Sequence, residues 1–326
     1  MSQASNNREC NNAGGTTFQS IPIQKSVPRI LVNKYNSPSG KKGAAVQKKY
    51  VQKRKNNDNK FKVKYLTDHG QFTIDKFPAI IIPYRDNQLQ NREEQLKILI
   101  PLLYNLFDEQ KYTNYVILVI EQTEDKQKFN RGKLCNIGAK IAKERFPGSY
   151  CIFHDVDLYP SRELFLYYMT FPIKPMHMHG GSKKYPEQKG RPHFMFGGVV
   201  SMSEESLIKS NGFPNNYWGW GGEDDELRRR VFRTHNIIWR PNRKHSAIEE
   251  PEHIWDPKDG TPKQERIALA KKNISTWQSN GLANLTFNIY QENDLSGLVE
   301  DRNIDEEQKC SASQKYITIS KISVEI

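Results

Sequence analysis

Tyr150-Cys-Ile-Phe-His154-Asp155-Val-Asp157 is a short apolar run that ends in two carboxylates. An apolar segment of this length bounded by polar residues reads as a buried strand. Two segments upstream share its character. Pro78-Ala-Ile-Ile-Ile-Pro83 is closed by proline and followed by Tyr84-Arg85-Asp86, and Tyr115-Val-Ile-Leu-Val-Ile120 is followed by a polar loop from Gln122 to Gln127. Between them the periodicity changes. Leu96, Leu99, Leu103 and Leu106 recur at helical spacing, with Pro101 predicting a kink or break. Gly132 to Arg145 predicts a helix with Leu134, Ile137 and Ile141 on one face. Strand, helix, strand, helix, strand predicts an α/β fold with a mostly parallel central sheet, Rossmann-like in its order. Ligands in such sheets bind beyond the carboxyl ends of the strands, where Arg85, Asp155 and Asp157 fall.

Downstream, Leu164 to Met169 reads as helical, and a loop carries His177, His179 and His193. His177-x-His179 has metal-ligand chemistry, although loop histidines are more often merely exposed. Phe194-Met-Phe-Gly-Gly-Val-Val-Ser201 reads as a strand, followed by a helix from Glu204 to Ser210 with Ser203 as N-cap. Ile237 to Arg240 is a further strand, Gln264 to Gln278 a helix, and Leu282 to Tyr290 an extended segment. Residues 291–326 carry few signals.

The densest chemistry lies in Gly212-Phe-Pro-Asn-Asn-Tyr-Trp-Gly-Trp-Gly-Gly-Glu-Asp-Asp-Glu226. Tyr217, Trp218 and Trp220 stand beside four consecutive acids, Glu223 to Glu226. Unpaired carboxylates are costly to bury, and a loop rarely exposes two tryptophans for no purpose. An aromatic platform beside carboxylates suits a sugar, whose C–H face lies on a ring while its hydroxyls bond to acids. The structural alternative makes the tryptophans core anchors and the acids the favoured first turn of a helix. Asp155-x-Asp157 presents two oxygen donors on one side of an extended segment, a pattern that suits a hard cation bridging a diphosphate, with capping as the alternative.

The chain has 326 residues and a net charge of +12. Residues 1–60 hold twelve Lys and Arg against Glu9 and Asp58, a net of +10, which leaves +2 for the rest. That segment is polar, basic and poor in large apolar side chains, and is expected to be a disordered basic tail. Its Lys48-Lys-Tyr-Val-Gln-Lys-Arg-Lys55 run could engage nucleic acid or an anionic surface, against the plainer reading of a solvated linker. Residues 61–300 form the expected catalytic domain and 301–326 a C-terminal extension. Cys10, Cys135, Cys151 and Cys310 show no Cys-x-x-Cys spacing, so buried thiols are expected at Cys135 and Cys151. The sequence shows neither a transmembrane-length apolar run nor a signal-peptide core, which makes a cytoplasmic location the default expectation, with membrane or virion association as alternatives. The two N-glycosylation sequons, Asn273-Ile-Ser and Asn284-Leu-Thr, matter only outside the cytosol.

Several motifs in one order resemble the β-1,4-galactosyltransferase family (glycosyltransferase family 7, GT-A type). They are Ile82-Pro-Tyr-Arg85, Phe129-Asn-Arg-Gly-Lys133 with Leu134-x-Asn136-x-Gly138, Asp155-Val-Asp157, Phe196-Gly-Gly198 and Asn211 through Asp225. The resemblance implies an inverting transferase that moves galactose or N-acetylgalactosamine from a UDP-sugar to a glycan or glycoside hydroxyl, with Mn²⁺. It implies that Pro83, Tyr84, Arg85, Phe129 and Arg131 line the nucleotide pocket, that Asp155 contacts the donor and that Asp157 and His245 hold the metal. Trp220 would lie on a mobile loop, and Glu223, Asp224 and Asp225 would hold the acceptor, with Asp224 as general base. Met195 stands where galactosyl-specific members carry Tyr, which leaves UDP-Gal and UDP-GalNAc both open as donors. Two departures stand out: Asn87 replaces a second arginine, and Asn242 stands three places before His245 in place of Met. They motivate the alternative of an inactive sugar- or nucleotide-binding protein.

Overall fold

The computed structural model describes residues 62–65, 76–86, 89–179, 195–241, 248–249, 257–299 and 317–326. The expected disordered tail, His193, and the departures at Asn87, Asn242 and His245 lie outside these residues. The three strands expected from apolar runs are β2 (Phe77–Tyr84), β3 (Tyr115–Gln122) and β4 (Ser149–His154), preceded by β1 (Lys62–Tyr65). Two helices alternate with them, α1 (Arg92–Asp108) and α2 (Arg131–Arg145). Beyond β4 come a short β5 (Tyr159–Pro160), α3 (Phe165–Tyr168), β6 (Met176–His177), β7 (Val199–Met202), α4 (Glu204–Ser210) and α5 (Glu223–His235). The chain continues through β8 (Ile237–Arg240), β9 (Ile248–Glu249), α6 (Lys263–Thr276), β10 (Asn288–Asp294) and β11 (Ile317–Glu325).

Nine of these strands form one sheet in the order β1-β8-β6-β7-β4-β2-β3-β11-β10. Strand β2 is parallel to both β3 and β4, with Ile81 opposite Leu118 and Ile80 opposite Ile152. The strands are apolar without alternation because both faces are covered. Ile80, Ile82, Ile117, Val119 and Ile152 pack with Leu96, Leu99, Leu103 and Phe107 of α1. Ala79, Ile81, Val116, Leu118, Cys151 and Phe153 pack with Leu134, Ile137 and Ile141 of α2. Gly138 lets α2 lie close on the sheet, since a Cβ there would overlap the Ile81 side chain.

Several local expectations are corrected. Pro101 does not break α1, which runs through it. The carbonyl it leaves without a donor is that of Lys97, on the exposed side, where water can satisfy it. The strand expected at 194–201 begins only at Val199, because Gly198 adopts φ +73°. Ser203 caps α4 as expected, accepting from the Ser206 N–H at 3.2 Å. The segment from Leu282 is a 3₁₀ turn (Leu282–Asn284) before strand β10 begins at Asn288.

The signal-poor C-terminus supplies a strand to the sheet interior. Strand β11 pairs in parallel with β3, Ile319 opposite Ile117, and antiparallel with β10. The sheet therefore extends past the boundary expected at residue 300. Ile322 and Val324 are fully buried, whereas Ile289 on the edge strand is 44% exposed. Ile322→Ala should cost about 2–5 kcal/mol by chemical denaturation, from lost burial and a cavity. Ile289→Ala should stay within about 0.5 kcal/mol.

Candidate active site

The carboxyl ends of β2 and β4 face the N-termini of α2 and α5, and Arg131 joins them. Asn130 caps α2, its side chain accepting from the Lys133 N–H at 2.9 Å and donating to the Asn215 carbonyl at 2.9 Å. This fixes Arg131 as the first residue of the helix. Its Nε donates to Asp155 Oδ1 at 2.6 Å, Nη1 lies 3.7 Å from Glu223 Oε1, and the guanidinium lies 5.6 Å from the centre of the Phe213 ring. Both terminal nitrogens of Arg131, and Glu223 Oε2, are buried without a hydrogen-bond partner among the described residues. Buried polar groups are nearly always satisfied, so these atoms call for ordered water or a polar ligand beside them.

Burial raises the pKa of Asp155 above the usual carboxylate range, although Arg131 opposes the shift. Burial, reinforced by repulsion from Asp224, pushes Glu223 up to about 7 against the same Arg131. Asp224 is likewise raised, by burial and then by Asp225. Its Oδ1 accepts from the Asp225 N–H at 2.7 Å, and Gly197 makes room for the other oxygen, since a Cβ there would lie 2.8 Å from Asp224 Oδ2. Asp225 is turned outward to Arg228, at 2.9 Å.

The nucleotide-side residues form a second group. Arg85 donates from Nη1 to the Gln127 carbonyl at 2.7 Å, reaches Asp259 at 3.4 Å, and lies 5.6 Å from the centre of the Phe129 ring. Pro83 and Tyr84 are buried at the end of β2. Met195 is half-buried, and its carbonyl accepts from Arg240 Nη2 at 3.1 Å. Trp220 is 55% exposed, as a ligand platform would be. Its backbone is nonetheless tied down, the N–H donating to the Asp259 carbonyl at 2.7 Å and the carbonyl accepting from the Thr261 N–H at 3.2 Å. Arg266 lies 5.8 Å from the Trp220 ring centre. Tyr217 is buried, so the aromatics of this stretch divide between core and surface.

Sequence reasoning missed Arg92. Its Nη1 lies 2.7 Å from Asp157 Oδ2 and also donates to Gln95 Oε1 at 2.9 Å. A signal was present: a cation in the first turn of a helix opposes the macrodipole and needs another reason to be there. His177 is buried and donates from Nε2 to the Gly197 carbonyl at 2.9 Å, a structural role. No group of three His, Cys, Asp or Glu side chains is arranged to hold a metal among the described residues. His245 lies outside them. Asp157, just beyond the end of β4 and 16% exposed, is nevertheless the donor type a hard cation takes; Arg92 holds its Oδ2 here, so a cation would share or displace that contact. Cys135 and Cys151 are buried free thiols, and burial pushes Cys135 up to about 12.

Comparison with known proteins bears directly on this arrangement. A family model described as the N-terminal region of glycosyl transferase group 7 matches residues 39–170, and one described as the N-terminal domain of galactosyltransferase matches 177–254. β-1,4-Galactosyltransferase 4 of Cricetulus griseus and of Homo sapiens are each 37% identical over 211 residues, covering 65% of this chain and 58% of theirs. β-1,4-Galactosyltransferase 1 of Mus musculus is 36% identical over 213 residues, covering 65% of this chain and 50% of that protein. The catalytic domain of Drosophila β1,4-galactosyltransferase 7 in complex with xylobiose superposes with a TM-score of 0.56 at 24% identity, covering 77% of this chain and 94% of that one. A mutant of the same protein in complex with manganese, UDP-Gal and xylobiose gives 0.57 at 24% identity, with the same coverage. The fold is GT-A type, and the chain belongs to the β-1,4-galactosyltransferase family. It spans about 58% of the length of the first curated relatives it matches.

One expectation is overturned by these relatives. The cytoplasmic default does not stand, because the matched β-1,4-galactosyltransferases are Golgi membrane-anchored type II proteins. No helix among the described residues is long and apolar enough to cross a membrane. The suggested nucleic-acid or anionic-surface contact of residues 1–60 lies outside the described residues, and the relatives lend it no support.

The raised pKa of Glu223 has a signed consequence. Between pH 4.5 and about 7 the folded state holds a proton on Glu223 that the unfolded state has released, so this residue costs stability as pH rises through that window. Glu223→Gln removes the cost. In the ligand-free protein, the variant should gain about 3 kcal/mol over the parent between pH 4.5 and 7.5, read by denaturant unfolding at each pH.

Proposed function

We propose that this chain transfers galactose from UDP-galactose to a sugar hydroxyl with inversion, giving a β-linkage, and that UDP-N-acetylgalactosamine competes as donor. The observation that carries the reading is the buried, incompletely paired Arg131 set between Asp155 and Glu223, in a chain of this family. A planar guanidinium with free donors suits a diphosphate oxygen. Arg85 and Phe129, in cation–π contact, frame the nucleotide side, with Pro83 and Tyr84 forming the floor. Arg92 supplies the second phosphate-side cation that Asn87 no longer provides. Asp157, with His245, would hold Mn²⁺, which when bound neutralises charge on the leaving diphosphate. The Drosophila relative crystallised with manganese, UDP-Gal and xylobiose supports both ligands, and its xylobiose supports a saccharide acceptor here.

On the acceptor side, the exposed Trp220 ring offers a face for the sugar, and Asp224 takes the proton of the attacking hydroxyl. A carboxylate whose pKa is raised by burial is a better base than an exposed one, and in this reading it takes the proton on the side opposite the leaving UDP. Glu223 and Asp225 complete the acceptor contacts. Half-buried Met195 stands where the family resemblance puts the residue facing the donor sugar, and its flexible thioether would tolerate either hydroxyl or N-acetyl at the 2-position.

UDP release should be measured with UDP-Gal or UDP-GalNAc, Mn²⁺ and a panel of N-acetylglucosamine, glucose, xylose and xylobiose. Acceptor-dependent release is expected, and Asp224→Asn should lower kcat by about 10²–10⁴-fold with nucleotide binding retained. Release equal in parent and variant on every acceptor would sink the assignment. Arg92→Ala should raise the donor KM by about 10-fold, corresponding to one lost charge-assisted contact.

A further inference from the structure

The two sequons of the chain lie about ten residues apart, and the fold treats them in opposite ways. Asn273, on α6, is fully buried, and its carboxamide is used on both sides. Its Nδ2 donates to the Leu269 carbonyl at 2.9 Å and to Asn216 Oδ1 at 3.3 Å, while its Oδ1 accepts from Asn280 Nδ2 at 2.9 Å and Arg230 Nη2 at 3.4 Å. A glycan on that nitrogen would take one of its hydrogens and would need space that the interior does not have. Asn284 ends the 3₁₀ turn and is exposed, as is Thr286, the hydroxyl position of its sequon. Its Oδ1 accepts from the Gly281 N–H at 2.8 Å and from Asn215 Nδ2 at 2.9 Å. Both bonds end on oxygen, so they hold the side chain in place and leave the nitrogen outside the network. The turn itself is anchored, with the Leu282 and Ala283 N–H groups donating to Asn211 O at 3.1 Å and Asn211 Oδ1 at 2.8 Å.

We propose that Asn284 is an N-glycosylation site of this protein, and that Asn273, despite its sequon, carries no glycan in the folded molecule. The donor is a polyprenyl-diphosphate-linked oligosaccharide of the secretory pathway. Nδ2 of Asn284 attacks C1 of the reducing sugar and loses one proton, the new N–C1 bond replaces the C1–O bond, and the polyprenyl diphosphate leaves with that electron pair. The amide oxygen keeps both of its acceptor bonds, so the modification is compatible with the fold. The inference goes beyond the transferase activity and does not depend on it.

The test is expression of the full chain behind a secretory signal in eukaryotic cells, followed by glycopeptide mass spectrometry of the folded, secreted protein before and after peptide-N-glycosidase treatment. A glycan at Asn284 and an unmodified Asn273 are expected. Thr286→Ala should abolish the glycan while leaving the Asn284 hydrogen bonds and the thermal midpoint of the enzymatically deglycosylated protein unchanged. An unmodified Asn284 in folded secreted protein, or a glycan on Asn273, would overturn the proposal. UDP release measured on the same material reports the catalytic assignment separately.

Discussion

The site depends on one buried cation. Arg131 begins a helix, reaches the end of the central strand β4 through Asp155 at 2.6 Å, and faces Glu223 at the start of α5 at 3.7 Å. Three elements that are distant in sequence are thereby brought around one charge. Burying two acids without it would cost several kcal/mol each, and burying the guanidinium without them would cost as much. Two guanidinium nitrogens and one carboxylate oxygen find no hydrogen-bond partner among the described residues. Charges held in this state are poised for a ligand bearing negative charge and hydroxyl groups, and the raised Glu223 and Asp224 follow from the same desolvation.

Behind this charge stands a lattice of amides that holds the aromatic-acidic loop in place. Asn136 donates to the Phe213 carbonyl at 2.8 Å and accepts from the Phe213 N–H at 2.9 Å. Asn280 accepts from the Asn215 N–H at 3.0 Å, and Asn211 donates to the Trp277 carbonyl at 2.8 Å. Fully buried Arg230 caps the carbonyls of Asn211 and Gly212, at 3.1 and 3.0 Å. A loop that must expose Trp220 cannot be held by burying that ring, so polar side chains beneath it supply the rigidity. This explains why the stretch is rich in asparagine as well as in tryptophan and acids.

Arg92 shows what the motifs alone do not reveal about the candidate site. Asn87 taken alone suggested a weakened phosphate site. The first residue of α1 instead carries a cation to Asp157, from a position that linear motif comparison passes over. The same limit applies to the C-terminus. Strand β11 lies between β3 and β10, yet it has no continuous apolar run: Ile319 packs on one side of the sheet and Ile322 and Val324 on the other, with Ser323 Oγ donating to Glu121 at 2.6 Å.

The sequence by itself determined the α/β class, the three central strands, the two helices between them and most of the residues gathered at the site. It could do so because fully covered parallel strands are apolar end to end, and because paired acids and clustered tryptophans are too costly to place without a function. Only the tertiary structure decided that Asn273 is sealed while Asn284 is open, that Arg92 meets Asp157, and that β11 enters the sheet. Each of these is a contact between segments far apart in the chain, or a matter of burial, and local composition carries no record of either.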